Sequence, residues 1–266
     1  MNWEKITSAE FEEARTATEG VCLLPMGVLE KHGDNLPLGQ DALYAHAVCT
    51  SAGEIEKAMV FPFYYFGQIA EARHQPGTFS IDITLQLALL EQVCDEISRN
   101  GFHKIIIVNA HGGNHGLLDA FFKSLLNKEK PYMVYEWFLC DRDDIKEHFA
   151  SQIDGHAGEY EISQMYAVHP ELVKKEGLPG DYGKPLKRLQ EFTDLKIKSP
   201  VGWYSNYPGH FCGDQVPGSV KKGKIAFTYE RDHLVKIIQK VKTDDTPLEL
   251  YKEFHERARN PHCVKK

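Results

Sequence analysis

The six cysteines, Cys22, Cys49, Cys94, Cys140, Cys212 and Cys263, are scattered and no two stand at C-x-x-C spacing. A chain of 266 residues can bury a large core and needs no disulfide staples, so the thiols are expected to be reduced. Lys and Arg form no block: the densest cluster is Lys221, Lys222 and Lys224, which reads as a solvated turn. That absence excludes a nucleic-acid footprint and a basic membrane-binding face. The opening Met1-Asn2-Trp3-Glu4-Lys5 lacks the basic and apolar regions of a signal peptide. No apolar run approaches the roughly 20 residues of a membrane span. The expectation is a reduced, soluble, cytoplasmic protein.

What is present is an ordinary globular composition, 42% hydrophobic and 26% charged. The formal net charge of −7 comes from 31 basic and 38 acidic residues. With no repeat, long linker or compositional break, residues 1–266 are expected to form a single domain.

Apolar runs alternate with helical patterns through the first two-thirds. Gly20–Met26, Met59–Phe66, Lys104–Asn109 and Tyr132–Leu139 read as strands. The continuous Ile105-Ile106-Ile107-Val108 suits a parallel strand buried on both faces. Asp41–Lys57, Ile83–Arg99 and His115–Asn127 read as helices, the second through Leu85, Leu89, Val93 and Ile97 and a stop at Asn100-Gly101. A further amphipathic helix carries Leu234, Ile237, Ile238 and Val241, after a Gly/Pro/aromatic loop from Ser199 to Gly218. Strands alternating with helices argue for an α/β fold, a parallel sheet sandwiched between helical layers.

Three polar clusters fall where strands should end, the place where open α/β sheets bind ligands. In Gly27–Asp41, Glu30 and His32 share one face of an extended chain, and Asp41 can fold back over a Gly/Pro-rich loop. Imidazole with carboxylate suits Zn²⁺ or Mn²⁺, although a turn with polar caps would use the same residue types. In Asn109-Ala110-His111-Gly112-Gly113-Asn114-His115, two glycines permit a sharp turn and His111 would project as a ligand. Asn114 serves there as a helix N-cap or a substrate contact. In Asp154–Ser163, Glu159 and Glu161 open a helix, where a carboxylate also simply favours the positive dipole end, and His156 is a candidate proton shuttle.

Together these segments resemble the creatininase (creatinine amidohydrolase) family. The match comprises Leu24-Pro25-x-Gly27-x-x-Glu30-x-His32-Gly33, Leu36-Pro37-Leu38-Gly39-x-Asp41, Pro76-Gly77-Thr78, His111-Gly112-Gly113-Asn114 and His156-Ala157-Gly158-Glu159-x-Glu161-x-Ser163. The resemblance implies a three-layer α/β/α fold and a homo-oligomer, often a hexamer. It also implies two divalent ions, Zn²⁺ first, with Mn²⁺ or Fe²⁺ as alternatives. Glu30 and His111 would hold one ion, His32 and Glu159 the other, and Asp41 would bridge them. A water between the ions would attack the carbonyl of a small cyclic amide or formamide, with His156 and Glu161 relaying its proton. The alternative within the family is C–C hydrolysis of a keto-inositol or keto-sugar ring.

The departures concern substrate choice. Members that open creatinine carry a carboxylate two residues beyond the second-cluster His, where this chain has Gly113. The family's usual Glu-His is Glu71-Ala72 here, with Arg73 and His74 displaced toward Pro76. Arg73 pairs with a substrate oxygen or forms a surface ion pair. Trp203 and His210, in the aromatic loop, are expected to line the substrate pocket, or else to form an oligomer contact.

Overall fold

The computed structural model describes residues 1–140, 143–174 and 183–262; Cys263 lies outside the described residues. Among the described residues are four strands, β1 (Val21–Met26), β2 (Met59–Val60), β3 (Lys104–Asn109) and β4 (Met133–Phe138). They form one fully parallel sheet in the order β2-β1-β3-β4. Nine α-helices accompany them in this described part: α1 (Ser8–Ala17), α2 (Gln40–Ile55), α3 (Ile83–Arg99), α4 (Asn114–Leu125), α5 (Glu159–Val168), α6 (Gln190–Asp194), α7 (Gly202–Asn206), α8 (Val220–Thr243) and α9 (Thr246–Arg259). None is long and apolar enough to cross a membrane.

Side-chain alternation along the strands divides the core. Cys22, Leu24 and Met26 of β1 and Ile105 and Ile107 of β3 face α1, α3 and α4, represented by Ala14, Leu90, Ile97, Leu118 and Phe121. Val21, Leu23, Ile106 and Val108 face the other way, onto Tyr44 and Val48 of α2 and Leu234 and Ile238 of α8. All these residues are buried, which is why the β1 and β3 sequences are apolar throughout rather than alternating. The result is the expected three-layer α/β/α arrangement.

The strand expected over Met59–Phe66 is ladder-paired only at Met59 and Val60. Pro62 has no N–H to give the ladder, so pairing lapses there. The segment nevertheless stays alongside β1 through Phe61 N–H to Leu23 O and Tyr64 N–H to Pro25 O. The aromatic loop contains a short helix, α7, where irregular chain was expected. Two further helices, α1 and α9, are mostly exposed, with Ala14 the buried residue of α1 and Tyr251 and His255 those of α9; α9 does carry a helical row through Leu248, Tyr251 and Phe254. The start of α1 is fixed by a capping box between Thr7 and Glu10.

Register brings the carboxyl ends of three strands level: Met26 pairs with Asn109, and Asn109 with Phe138. The segments leaving β1 and β3 carry the first two polar clusters, and α5 brings the third to the same rim.

Candidate metal centre

After β1 the chain runs through Glu30 and His32, turns at Gly33 (φ 68°), and re-enters as α2. Glu30 N–H donates to Leu38 O, which closes this loop and sets Asp41 in the first turn of α2. Gly27 makes the close approach possible, since a Cβ there would lie 2.5 Å from Ala42 N. His32 Nδ1 donates to its neighbour's carbonyl, Glu30 O, at 3.2 Å, so Nε2 faces Asp41 Oδ1 at 3.0 Å. A backbone acceptor on one imidazole nitrogen is the usual way of aiming the other at a ligand.

His111 follows β3. Its N–H donates to Asn109 Oδ1, and its Nδ1 stands 2.7 Å from Glu30 Oε1 and 3.3 Å from Asp41 Oδ2. A Cβ on Gly113 would lie 2.4 Å from His111 Nε2, so only glycine leaves room for this ring. Glu161, in the first turn of α5, brings Oε2 within 3.8 Å of His32 Nε2. The turn before it holds Ala157 at φ 56°, a strained position for a residue with a Cβ, and directs Ala157 N–H at Glu161 Oε2.

Two triads of ligand atoms result, Glu30–Asp41–His111 and His32–Asp41–Glu161, each with its atoms within 4.8 Å of one another. Asp41 belongs to both, with Oδ1 toward His32 and Oδ2 toward His111. A third overlapping group is Glu30–His32–His156. Glu30 and His32 are 0% exposed and Asp41 2%. Yet Glu30 Oε1, Asp41 Oδ2 and His111 Nε2 have no well-directed hydrogen bond among the described residues. Buried polar atoms left in this condition are costly unless something else satisfies them. Mixed O/N donors without cysteine fit a divalent ion such as Zn²⁺ or Mn²⁺.

The electrostatics are those of a tightly paired cluster. Burial opposes the charged form of His32, but the carboxylates of Asp41, Glu30 and Glu161 outweigh it and raise the imidazole to about 10. His111 is likewise raised, burial being overcome by Glu30 and Asp41. Against the same burial penalty, neighbouring imidazoles hold Glu30 well below the usual carboxylate range and lower Asp41. Burial raises Glu161 and lowers His156.

His156 lines a cavity of about 330 Å³ together with Glu30, Glu71, His111, Glu161, Trp203 and His210. Its Nε2 donates to Lys31 O at 2.8 Å, which leaves Nδ1 as the ring's acceptor. Glu71 and Gly113 are shared with a larger cavity of about 910 Å³, lined by Gln68, Arg73, Asp82 and Gln86.

Glu159 is not brought to this cluster. Its Oε2 accepts from Ala150 N–H at 2.9 Å and Ser151 N–H at 2.7 Å, and its Oε1 pairs with Lys222 Nζ. Successive helical residues point about 100° apart, so Glu159 and Glu161 cannot share a direction, and Glu161 holds the position expected of Glu159. Asn114 is also differently engaged: it is fully buried, with Oδ1 accepting from Gln68 N–H and Nδ2 donating to Asn109 Oδ1. It braces two loops and does not reach the cavity. Arg73 lines the outer cavity alone, and His74 bonds Pro208 O at 2.9 Å. Trp203 and His210 do stand at the inner cavity. The contact of His210 with Glu30, across 180 residues of chain, has no sequence signal.

A family model described as creatininase, creatinine amidohydrolase, matches residues 4–238. The creatinine amidohydrolase of Pseudomonas putida is 26% identical over 187 residues, 64% of this chain and 72% of that protein. A mycofactocin precursor peptide peptidase of Mycolicibacterium smegmatis is 31% identical over 173 residues, 63% of this chain and 65% of that protein. The 3-dehydro-scyllo-inosose hydrolase of Thermotoga maritima is 23% identical over 251 residues, 82% of this chain and 76% of that protein. Among solved structures, a creatininase superposes with TM-score 0.76 at 21% identity, covering 91% of this chain and 98% of its own. Others in that group are a manganese form and a zinc–zinc form.

Proposed function

This chain belongs to the creatininase family and is a metal-dependent hydrolase, and we propose that it works with two divalent ions on a small cyclic amide or formamide. The observation that carries this reading is the position of Asp41, whose two oxygens face different imidazoles in two separate donor triads. Glu30, Asp41 and His111 would hold one ion, and His32, Asp41 and Glu161 the other. Zinc or manganese suits these donors, and solved relatives include both. Bound there, such ions would activate a water between them and polarise a carbonyl oxygen.

The chain's own residues supply the rest. Neutral His156, fixed by the Lys31 carbonyl, takes a proton at Nδ1 from the attacking water and returns it to the leaving nitrogen. Burial keeps this ring in its neutral, proton-accepting form. Trp203 lines the cavity, where its indole would limit entry of bulk water. A cavity of about 330 Å³ accommodates a small polar ring beside the acid cluster.

A second reading, hydrolytic opening of a keto-inositol ring, is favoured by the inosose hydrolase relative, which aligns over the largest share of this chain among the three compared. Elemental analysis of the purified protein, then a panel of cyclic amides, formamides and keto-inositols scored by mass gain of water, tests both. Two ions per chain, and turnover abolished in Asp41→Ala, are expected. A full-length wild-type protein that binds no divalent ion would overturn the dinuclear reading.

A further inference from the structure

Glu30 lies among four imidazoles, with His32 Nε2 3.9 Å from Oε1, and is itself 0% exposed. His111 Nδ1 faces Oε1 at 2.7 Å, while His156 Nε2 stands 3.6 Å and His210 Nε2 2.5 Å from Oε2. The two oxygens therefore have different fates. Oε2 accepts a hydrogen bond from His210, and Oε1 has no well-directed bond among the described residues.

His210 is held for this contact from behind. The indole Nε1–H of Trp203 donates to His210 Nδ1 at 3.0 Å. With Nδ1 accepting, the imidazole proton sits on Nε2, where it meets Glu30. The backbone of His210 has φ 53°, the left-handed region that a non-glycine residue enters only when its surroundings compel it. The same loop is pinned a few residues away, where His74 and Gln75 both bond Pro208 O, at 2.9 and 2.7 Å. The Trp203 ring packs against Tyr207 with centroids 4.7 Å apart, and Trp203 also lines the cavity.

We infer that His210 is a positioning residue that occupies Glu30 Oε2 and so presents Oε1 alone to the ion, with Trp203 locking the tautomer that makes this possible. The aromatic loop, besides walling the cavity, thus sets the geometry of a ligand 180 residues away in the chain. This rests on the reading of Glu30 as a metal ligand.

The test uses the full-length protein depleted of metal and reloaded with Co²⁺, whose visible absorption reports ligand number and geometry. The measurements are ion stoichiometry, dissociation constants and that spectrum. Glu30→Gln examines the underlying reading: if both ions bind it as tightly as wild type, Glu30 is no ligand and the reading itself fails. If Glu30→Gln does weaken one ion, His210→Phe is expected to weaken the same ion by about 10- to 100-fold, the usual cost of losing an orienting partner, and to alter the spectrum. His210→Gln, which keeps an N–H donor, should restore affinity to within roughly threefold of wild type if the donor is what matters. Trp203→Phe keeps the ring and removes only the indole N–H. It is expected to weaken that ion several-fold, and it carries the test should His210→Phe fail to fold. Wild-type affinity and spectrum in His210→Phe, equal losses in the Phe and Gln variants, or an unchanged Trp203→Phe would each overturn the proposal.

Discussion

Glu161 Oε2 lies 3.8 Å from His32 Nε2, whereas Glu159, two residues earlier on α5, turns its carboxylate to Lys222 and the amides of Ala150 and Ser151. The two acids therefore divide into one that faces the donor cluster, the ligand of the proposed second ion, and one that acts as a brace. Glu161→Gln is expected to remove the ion on the His32 side while leaving the melting temperature of the metal-free protein nearly unchanged. Glu159→Gln is expected to keep both ions and to cost about 1–3 kcal/mol, because it removes the charge partner of part-buried Lys222 and weakens the hydrogen bonds from the Ala150 and Ser151 N–H groups. Metal analysis beside urea denaturation distinguishes the two outcomes, and their reversal would restore Glu159 as the ligand.

A second buried carboxylate joins the helices that carry Asp41 and Glu161. Glu230 of α8 is 0% exposed and accepts from Tyr44 Oη on α2, and from Tyr160 Oη at 2.8 Å and Gln164 Nε2 at 3.3 Å on α5. Replacing Glu230 with Ala leaves two phenols and an amide without this acceptor in the interior. The expected loss is about 3 kcal/mol or more, read by equilibrium denaturation. A loss below roughly 1 kcal/mol would show that these groups find other partners.

Gly113 is required for a spatial reason that Ala tests directly. The added methyl would meet His111 Nε2 at 2.4 Å and the backbone carbonyl of Gln68 at 3.0 Å. Gly113→Ala should displace the imidazole, reduce occupancy of the Glu30 side and lower kcat/KM by about 100-fold, since a ligand shift near 1 Å is enough for that. Full metal occupancy at wild-type kcat/KM would contradict the crowding argument.

Acid sensitivity is expected at the far end of the fold. Lys242 of α8 bonds Glu56, just beyond α2, at 2.6 Å, and this hydrogen bond lowers the Glu56 carboxyl. A carboxylate lowered on folding adds stability above its unfolded value, near 4.3, and loses it as pH falls through the lower folded value. Glu56 is solvent-accessible, so the contribution is roughly 0.5 kcal/mol. Glu56→Gln should be less stable than wild type by that amount at pH 7, and the gap should close below pH about 4. Denaturation midpoints of the two proteins across that range are the measurement, and a gap independent of pH would exclude the ion pair as its cause.

The strands β1 and β3 were legible because burial on both faces leaves an apolar run of strand length. Helix α3 was legible because its apolar residues keep one period from Leu85 to Ile97. Glu30, His32 and His111 were suggested as neighbours by their place after β1 and β3, but Asp41, in the first turn of α2, joined them on the loop between and on the family resemblance. The choice between Glu159 and Glu161 was not readable, since both occupy the same helical turn and only the angle between them decides. By sequence Asn114 suits an N-cap or a substrate contact, but Gly113 holds the cap position without a side-chain bond, and Asn114, the first residue of α4, commits its amide to Gln68 and Asn109 instead. The pairing of His210 with Glu30 depends on a loop path that no local pattern encodes.

The larger cavity beyond Glu71 and Gly113 has a consequence for how such a protein diversifies. The groups that would perform hydrolysis come from residues 30–41, 111 and 156–161. The outer walls come largely from residues 68–86 and Pro200. On the proposed reading, reaction and recognition would be written in different stretches of chain, so that mutations could rewrite one without erasing the other. A creatinine amidohydrolase, a mycofactocin precursor peptide peptidase and a 3-dehydro-scyllo-inosose hydrolase, all similar to this chain, would fit such a division of labour.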